Sequence, residues 1–436
     1  MNHFQRSSQI GLAGCVILLS SALNVSLADT GKAPAQVQRM EIRVGIDEGD
    51  LRGADNRALQ AAVDYVAHLG GGTVRIGPGR YSMRNALTLR DGVDVVGVAG
   101  QTILEACDGL SSPLTADGDA NERQITVEDP SGFRIGDGIA IQDAKSGGFE
   151  VTTASIIART TPNTFRISAP LYLDYMVSQK ATARLAFPIV GGWNVKNVVI
   201  DGLTIDGRRE KAQYLDGCRA GGIYLFESQD VTIRNCTVRN YNGDGISFQV
   251  SSGVTVEDCL SENNAGLGLH PGSGSQKPII RRNRSIGNGG DGLYVCWRVK
   301  NGLFEQNEIR GNKRAGISIG HKDTDNLFRD NTVVGNRAMG VLFRKESEAM
   351  GAHRNVFENN RILDNGGSGA EKKESTRAAI VIQGAHEDLV FRGNTIGNTS
   401  ANAGPTTGFL VSADARNLKS EANQFQNVGQ QIETQK

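Results

Sequence analysis

The sequence has no excess charge of either sign, no CxxC motif and no long apolar run beyond its first residues. Its 436 residues include 47 Lys plus Arg and 47 Asp plus Glu, and this balance argues against a nucleic-acid or membrane-surface role. The six cysteines show no zinc-ligand spacing. No later segment has the length and hydropathy of a membrane span. We therefore expect no nucleic-acid partner, no membrane span and no metal site.

The first 28 residues have the three parts of a secretory signal. Arg6 gives a basic start, residues 10–19 form an apolar run, and residues 26–28 offer a small-residue cleavage site. Leu12 to Cys15 resembles a bacterial lipoprotein box, but the apolar run continues past the cysteine, which favours ordinary cleavage. We expect an exported protein, periplasmic or secreted, from which residues 1–28 are removed.

Glycine is abundant, at 55 residues, and one motif recurs between Val231 and Glu346. Each repeat has an Asn or Asp, a second Asn five residues later, and then a Gly followed by alternating apolar and polar residues. The first position holds Asn235, Asp258, Asn283, Asn307 and Asn331, and the second holds Asn240, Asn263, Asn288, Asn312 and Asn336. A fixed period of 23 to 25 residues that carries short strands predicts a β-solenoid.

Stacked coils about 4.8 Å apart would bury the apolar residues of each repeat in columns. The predicted inward pairs are Ile246 and Phe248, Leu267 and Leu269, Leu293 and Val295, Ile317 and Ile319, and Val341 and Phe343. The asparagines are interpreted as structural, because Asn tolerates left-handed turns and can bond nearby backbone. Asp244 and Asp291, which precede repeat glycines, are interpreted as turn residues as well.

Residues 53–105 have the pattern of an end cap. Asp55 can N-cap a helix over residues 56–69 whose apolar residues share one face, and three glycines follow it. This unit resembles the opening of the pectate lyase-like superfamily, in which a short amphipathic helix caps a parallel β-helix. The resemblance implies an all-β, right-handed parallel β-helix with an N-terminal capping helix.

The repeat divides the chain after the signal into four segments. They are the cap and first coils (29–106), an inserted antiparallel β module (107–190), the parallel β-helix (191–429) and a polar tail (430–436). The module is predicted because its strand-like segments lack the Asn-Gly punctuation and the period. Within it, Tyr172, Asp174 and Tyr175 are candidates for ligand contact.

The outward positions that follow the repeat glycines bring a cationic and aromatic patch together on successive coils. The candidate catalytic residues are His270, Tyr294, Arg298, His321, Lys322 and Asp323, and the candidate substrate contacts are Trp297, Arg344, Asp325 and Gln249. Small neighbours such as Gly268 and Ser318 leave room for a ligand, which makes the patch a candidate active site. His353 and His386 lie away from the patch in this alignment and are interpreted as surface residues.

The patch has the side chains that chemistry beside a uronate carboxylate requires. The cations available to pair with the carboxylate are Arg298, Lys322 and Arg344. His270 or His321 can take the adjacent proton, since neutral imidazole is available near pH 7, and Tyr294 or the other histidine can act as the acid. This set resembles the residues used by β-helical alginate lyases and mannuronan C5-epimerases, although neither family's signature is matched residue for residue.

A polysaccharide is therefore the expected partner, and the favoured function is a lyase or C5-epimerase acting on a uronate-containing polymer. We expect a monomer without a cofactor. Calcium stays open, because some β-helical lyases use it, while no compact Asp cluster in this sequence requires it.

Two other functions stay open. The run GISIGH from Gly316 is similar to a run in polygalacturonases, where a His precedes it and paired aspartates lie on neighbouring coils. Here Ala315 precedes the run and His321 follows it, and the aspartate pair is absent, whereas hydrolysis needs two carboxyls about 5–9 Å apart. The nearest supply is Asp244, Asp291, Asp323 and Asp325, of which the first two are interpreted as turn residues. A non-catalytic carbohydrate-binding scaffold is the third function, because a fold does not fix function.

Overall fold

Three long parallel sheets, A, B and C, form the sides of a parallel β-helix. The computed structural model describes residues 39–366, 377–401 and 404–435, and the predicted signal, residues 1–28, lies outside the described residues. Strands are numbered in chain order. From residue 190 onwards, successive strands belong to sheets C, A and B in turn, so that each coil contributes one strand to each sheet.

The strands of sheet A are β1 (Met40–Gly45), β2 (Leu51–Arg52), β3 (Gly72–Ile76), β6 (Val93–Val96), β15 (Lys196–Asp201), β18 (Gln229–Arg234), β21 (Thr255–Glu257), β24 (Ile279–Arg281), β27 (Leu303–Glu305), β30 (Leu327–Arg329), β33 (Val356–Glu358), β36 (Val390–Arg392) and β39 (Lys419–Glu421). Those of sheet B are β4 (Gly79–Met83), β7 (Thr102–Ala106), β16 (Thr204–Asp206), β19 (Thr237–Arg239), β22 (Leu260–Glu262), β25 (Arg284–Ile286), β28 (Glu308–Arg310), β31 (Thr332–Val334), β34 (Arg361–Leu363), β37 (Thr395–Gly397) and β40 (Gln424–Gln426). Those of sheet C are β5 (Leu87–Thr88), β14 (Val190–Trp193), β17 (Ile223–Phe226), β20 (Ile246–Gln249), β23 (Leu269–Pro271), β26 (Leu293–Tyr294), β29 (Ile317–Ile319), β32 (Val341–Glu346), β35 (Ala378–Gly384), β38 (Thr407–Ser412) and β41 (Gln430–Gln435).

Equivalent residues of successive coils pair in register. In sheet C, Ile246 pairs with Leu269, and this column continues through Leu293, Ile317 and Val341. All five side chains are buried, as the sequence predicts. Burying each one stabilises the fold by about 1.5–3 kcal/mol, and a coil that slipped by one residue would turn the whole column outward.

One coil differs from its predicted alignment. Leu267 is only half-buried, and the second inward place of this coil belongs to Pro271, which pairs with Phe248. The reason is that the segment GLGLHP offers two glycines. Only Gly268, and not Gly266, keeps Leu269 opposite the Ile246 strand, because the backbone N–H of Ile246 donates to the carbonyl of Gly268.

The repeat asparagines form a buried ladder from the third predicted repeat onwards. Asn312 Oδ1 accepts from the backbone nitrogen and the Nδ2 of Asn288, both at 3.0 Å, and Asn312 Nδ2 lies 2.9 Å from Asn336 Oδ1. In the first two repeats the predicted asparagines are turn residues, as interpreted, but the repeat alignment is one residue away from the ladder. Asn240 and Asn263 have left-handed φ angles of 52° and 54° and lie one place before the ladder.

The same shift applies to the first Asn position of the repeat. Asn235 and Asp258 are left-handed turn residues, with φ angles of 52° and 54°. The ladder position after Asp258 is Cys259, whose backbone nitrogen donates to Asn283 Oδ1 at 3.0 Å. A turn Asn and a ladder Asn are adjacent in the chain, so the residue type alone does not separate them.

The helix α1 (Asn56–His68) covers the first coils. Asp55 is its N-cap and accepts a hydrogen bond from the backbone nitrogen of Arg57. Its buried residues, Leu59, Ala62, Val63 and Val66, are those of the predicted apolar face, and the helix packs against β1 and β3. The predicted capping helix is confirmed.

A six-stranded antiparallel sheet interrupts the coils between β7 and β14. Its strands are β8 (Ser111–Pro113), β9 (Gln124–Thr126), β10 (Gly138–Gln142), β11 (Thr152–Arg159), β12 (Thr164–Ile167) and β13 (Thr182–Leu185). It has an apolar core of its own, and the predicted antiparallel module is confirmed. Tyr175 lies in that core, whereas the other two suggested ligand contacts, Tyr172 and Asp174, are exposed; Asp174 also accepts the backbone N–H of Ala120.

The chain end differs from its prediction. The sequence predicts a polar tail at residues 430–436, whereas Gln430–Gln435 form β41 and pair in parallel with β38. In the described residues this polar strand is the edge strand of sheet C. Polar residues at an open sheet edge discourage further pairing.

Candidate active site

His270, Tyr294 and Arg344 lie on the outward face of sheet C between β20 and β32, and the other candidate catalytic residues follow these strands in the chain. Ser247 pairs with His270, and Tyr294 pairs with Ser318. Because Leu269 pairs with Leu293, Tyr294 follows His270 in the same column, with neighbours about 4.8 Å apart. A second outward column, two residues further along each strand, ends at Arg344.

Asp244 holds the imidazole of His270. Its Oδ2 lies 2.8 Å from His270 Nδ1, while its Oδ1 accepts the backbone N–H of Leu267 at 2.8 Å. The side chains of His270 and Asp244 are only 7% and 5% exposed. A carboxylate facing Nδ1 requires a proton there, which leaves the lone pair on Nε2. His270 Nε2 has no hydrogen-bond partner in the part of the chain that the structure describes.

Tyr294 lies between His270 and Arg344. Its ring meets the His270 ring edge-on, with centroids 5.3 Å apart, and Arg344 Cζ is 4.4 Å from its ring centroid. Burial raises the pKa of Tyr294, and the charge of Arg344 only partly offsets this. The phenol is therefore protonated at neutral pH and can donate a proton.

The guanidinium of Arg344 is fixed across the face of Tyr294. Its Nη1 donates to Ser318 Oγ at 2.9 Å and its Nη2 to the carbonyl of Val295 at 2.7 Å. Asp323 Oδ2 lies 3.4 Å from Nη2. A cation that is held by several groups in a partly buried groove provides a preorganised positive charge for an anionic ligand.

Asp323 is expected on the groove surface, but it is fully buried. Its carboxylate accepts the backbone N–H groups of Val299 and Gly320 at 2.9 and 3.0 Å. Burial raises the pKa of Asp323 to about 7, although Arg344 and the two backbone bonds lower it. It occupies a stacking position that a serine, Ser275, holds two coils earlier. Asp323 therefore contacts Arg344 from the interior of the β-helix and does not reach the groove.

His321 forms the other side of the cluster. Its Nε2 lies 3.0 Å from Glu346 Oε1, and its Nδ1 lies 3.5 Å from Arg344 Nη2 and 3.7 Å from Cys296 Sγ. Burial and the charge of Arg344 lower the pKa of His321, so this imidazole is neutral at neutral pH. Both of its nitrogens have protein partners, in contrast to Nε2 of His270.

Three predicted residues lie on the rim of the groove. Trp297 is 43% exposed, and its ring centroid is 5.1 Å from that of His321. Arg298 is exposed over the Trp297 ring, and Lys322 is exposed on the next coil. Trp297, Arg298, His321 and Lys322 have left-handed φ angles of 69°, 64°, 46° and 63°. Such backbone strain in bulky residues costs about 1–3 kcal/mol each and tends to occur at functional sites.

Two predicted substrate contacts have structural partners instead. Gln249 is 1% exposed, and its amide lies 3.1 Å from Ser247 Oγ. Asp325 forms an ion pair with Arg354 at 2.7 Å, which lowers the pKa of Asp325. With Asp323 buried and Asp325 paired, these two aspartates do not form the facing carboxyl pair that a hydrolase needs.

The surface assignment of His386 is wrong. His386 is fully buried; its Nδ1 accepts the backbone N–H of Ala352 at 2.9 Å, and its Nε2 lies 2.9 Å from the carbonyl of Arg344. This histidine supports the strand that carries Arg344, and burial lowers its pKa to about 4.

From the sequence, Asp244 is interpreted as a turn residue, and Glu346 has no assigned role. The residues that precede the five repeat glycines are Asp244, Leu267, Asp291, Ala315 and Met339. The sequence does contain a signal for Asp244, because three of these five positions hold apolar or small residues and only Asp244 and Asp291 are acidic.

Two family models match the chain. One describes a right-handed beta helix region and matches residues 189–349, and the other describes the periplasmic copper-binding protein NosD and matches residues 282–435. The chain has the right-handed parallel β-helix fold. The right-handed parallel β-helix that the resemblance implies is thereby confirmed.

Solved structures with the same fold include two modules of mannuronan C-5 epimerases from Azotobacter vinelandii. The AlgE4 A-module has a TM-score of 0.53 at 17% identity, covering 89% of this chain and 97% of that one. The AlgE6 A-module has a TM-score of 0.50 at 15% identity, covering 90% and 98%. The β-helix is also 24% identical over 255 residues to mannuronan C5-epimerase AlgE3 of the same organism, a match over 57% of this chain and 12% of that much longer protein.

The described residues do not fit the copper site that the NosD description implies. Within residues 39–366, 377–401 and 404–435, no three His, Cys, Asp or Glu side chains are grouped to hold a metal ion. No helix in these ranges has the length and apolar character of a membrane span.

Proposed function

We propose that this β-helix is a polysaccharide epimerase that inverts C5 of uronate residues. The observation that carries the proposal is the buried Asp244–His270 pair with Tyr294 on the next coil and Arg344 over the tyrosine ring. This set contains an oriented base, a protonated acid and a fixed cation. Similarity in sequence to mannuronan C5-epimerase AlgE3 supports the same reaction class.

His270 is the base in this mechanism. The Nε2 lone pair takes the C5 proton, so that the C5–H bond breaks and its electron pair moves toward the carboxylate. Asp244 accepts from Nδ1–H and stabilises the imidazolium that forms. His321 is the weaker candidate for the base, because Glu346 and Arg344 occupy its two nitrogens.

Arg344 stabilises the negative charge that develops on the carboxylate. Its guanidinium is already held by Ser318, Val295 and Asp323, and it therefore does not reorganise during the reaction. Arg298 and Lys322 on the rim add positive charge where neighbouring uronates of the polymer would lie.

Tyr294 completes the reaction as the proton donor. A new C5–H bond forms with the phenolic proton on the opposite face of the sugar, and solvent returns the proton from His270 to the tyrosine. If Tyr294 instead protonated the oxygen at C4, the glycosidic bond would break by elimination. A lyase is therefore the second candidate, and it uses the same base.

We also propose that the protein is exported and meets its polymer outside the cytoplasm. The signal-like pattern of residues 1–28 and the match to a family described as periplasmic support this location.

The test is incubation of the protein with polymannuronate, polyguluronate and polygalacturonate in deuterated water, with and without calcium. An epimerase places deuterium at C5 without shortening the chain, as read by nuclear magnetic resonance and mass spectrometry. Unsaturated ends that absorb ultraviolet light identify a lyase, and new saturated reducing ends identify a hydrolase. Binding without any change in the polymer identifies a scaffold.

A further inference from the structure

One connection between sheets B and C is much longer than the five that follow it. Residues 207–222, sixteen in number, join β16 to β17, whereas six residues make each of the next five connections, from β19–β20 to β31–β32. We call residues 207–222 the closing loop. The extra residues add nothing to the three-sheet coil, so they must lie outside it.

The closing loop lies on the outward face of sheet C directly before His270. The carbonyl of Gly217 accepts from Ser247 Oγ at 2.7 Å, and the carbonyl of Cys218 accepts from the hydroxyl of Tyr224 at 2.7 Å. Ser247 and Tyr224 are outward residues of β20 and β17, yet they are 0% and 1% exposed. The loop therefore covers the face at these two coils.

The loop also packs against Asp244. A Cβ on Gly217 would lie 1.7 Å from Asp244 Oδ2, so only glycine allows the backbone to approach the carboxylate this closely. Tyr214 of the loop is 46% exposed and presents an aromatic face on which a sugar ring can stack.

The antiparallel module holds the loop in place. Arg219 lies over the rings of Phe149 and Tyr172, with Cζ to centroid distances of 5.8 and 5.3 Å, and its Nη2 donates to the carbonyl of Phe149. The backbone nitrogen of Gly109 also donates to the carbonyl of Lys211 at 2.8 Å. Because the closing loop is bonded both to sheet C and to the antiparallel module, it forms a fixed wall at this end of the groove.

We propose that the closing loop and the module seal one end of the groove, so that the enzyme acts at a chain end of its polymer. The inference rests on the proposed function and adds the mode of action. His270 pairs in register with covered Ser247, so about one coil spacing of 4.8 Å separates the base from the wall. On the other side of His270, three coils with six-residue connections follow up to β32, and the outward side chains Tyr294, His321 and Arg344 there are partly exposed. The polymer extends in one direction only.

The experiment uses the wild-type protein and uronate oligosaccharides of defined length. They carry a bulky fluorophore at the reducing end, at the non-reducing end, or at neither. A label at the end that meets the wall weakens binding by more than about tenfold, and a label at the other end changes it less than about twofold. Equal binding of both labelled forms overturns the proposal.

Product mapping separates this inference from the proposed function. In deuterated water, tandem mass spectrometry should find deuterium only in the one or two sugars nearest the blocked end. Deuterium spread along the chain from the first turnovers overturns chain-end action and leaves the epimerase standing. No exchange and no binding with any uronate rejects the epimerase itself and, with it, the inference.

A matched pair of variants tests the wall. Arg219→Ala removes the contacts with Phe149 and Tyr172. In this variant, the label at the blocked end should weaken binding less than it does in the wild type. Arg234→Ala removes an exposed ion pair with Asp201 on sheet A. In this control variant, the label should weaken binding as much as it does in the wild type. If the label weakens binding to Arg219→Ala as much as to the wild type, and circular dichroism shows an intact fold, the module does not seal the groove.

Discussion

Asp244 Oδ2 and His270 Nδ1 lie 2.8 Å apart on neighbouring coils, in a position where both side chains are almost fully buried. Asp244→Asn would present an amide in place of the carboxylate and no longer stabilise the imidazolium. We expect turnover to fall about 100-fold or more, with a shifted pH profile. Asp291→Asn is the matched control, because Asp291 accepts a backbone hydrogen bond from Ala315 in the equivalent position. Equal losses in both variants would indicate a structural role for Asp244.

Tyr294→Phe removes the phenolic proton and keeps the ring against His270 and Arg344. We expect a loss of about 100- to 10,000-fold in kcat with little change in KM or Tm. Tyr224→Phe, in the same column, loses only a hydrogen bond to Cys218. It should cost about 1 kcal/mol of stability and retain most of the turnover. Full activity in Tyr294→Phe rules out the phenol as proton donor.

Arg344→Met removes the charge that faces Asp323. Burial raises the folded-state pKa of Asp323 to about 7 and Arg344 lowers it, so the variant has a still higher pKa. A carboxyl whose folded pKa exceeds its unfolded value, about 4, loses stability as pH rises between the two values. Both proteins lose this stability alike up to about pH 7. The deficit of the variant in unfolding free energy, relative to the wild type, should therefore be nearly constant below that pH and grow above it, toward about 3–5 kcal/mol. His321 and Glu346 remain beside the site in both proteins, and a deficit independent of pH would contradict this coupling.

Asn312→Ala breaks the ladder between Asn288 and Asn336 in the buried turn. We expect a loss of about 1–3 kcal/mol for each donor or acceptor left unsatisfied, measured by urea unfolding. Asn263→Gly is the control, because Asn263 is an exposed left-handed turn residue and glycine adopts that conformation freely. Similar losses in both would mean that turn and ladder asparagines are not distinct.

The repeat made the fold predictable, because in-register stacking converts one period into buried columns of five residues each. The errors are shifts of one or two residues, at Leu267, Asn240 and Asn263, where adjacent glycines or asparagines fit either position. Only the hydrogen bonds between coils decide the register there.

The site was predictable in its location but not in its internal order. The alternation of side chains along each strand places His270, Tyr294 and Arg344 outward. The burial of Asp323 depends instead on a stacking position in the turn, which serines occupy in earlier coils. Asp244 escaped notice because an acid before a glycine has the pattern of a turn. Its contact with His270 crosses from one coil to the next, and the closing loop that buries it has no repeat signal.

The central claim is that His270, and not His321, removes the C5 proton of a uronate. The decisive measurement is the rate of deuterium uptake at C5 of a uronate polymer by the wild-type protein, His270→Gln and His321→Gln, each checked for an unchanged Tm. We predict uptake by the wild type, a loss of about 100- to 10,000-fold in His270→Gln, and less than about a tenfold loss in His321→Gln. Undiminished uptake in a folded His270→Gln variant would contradict it.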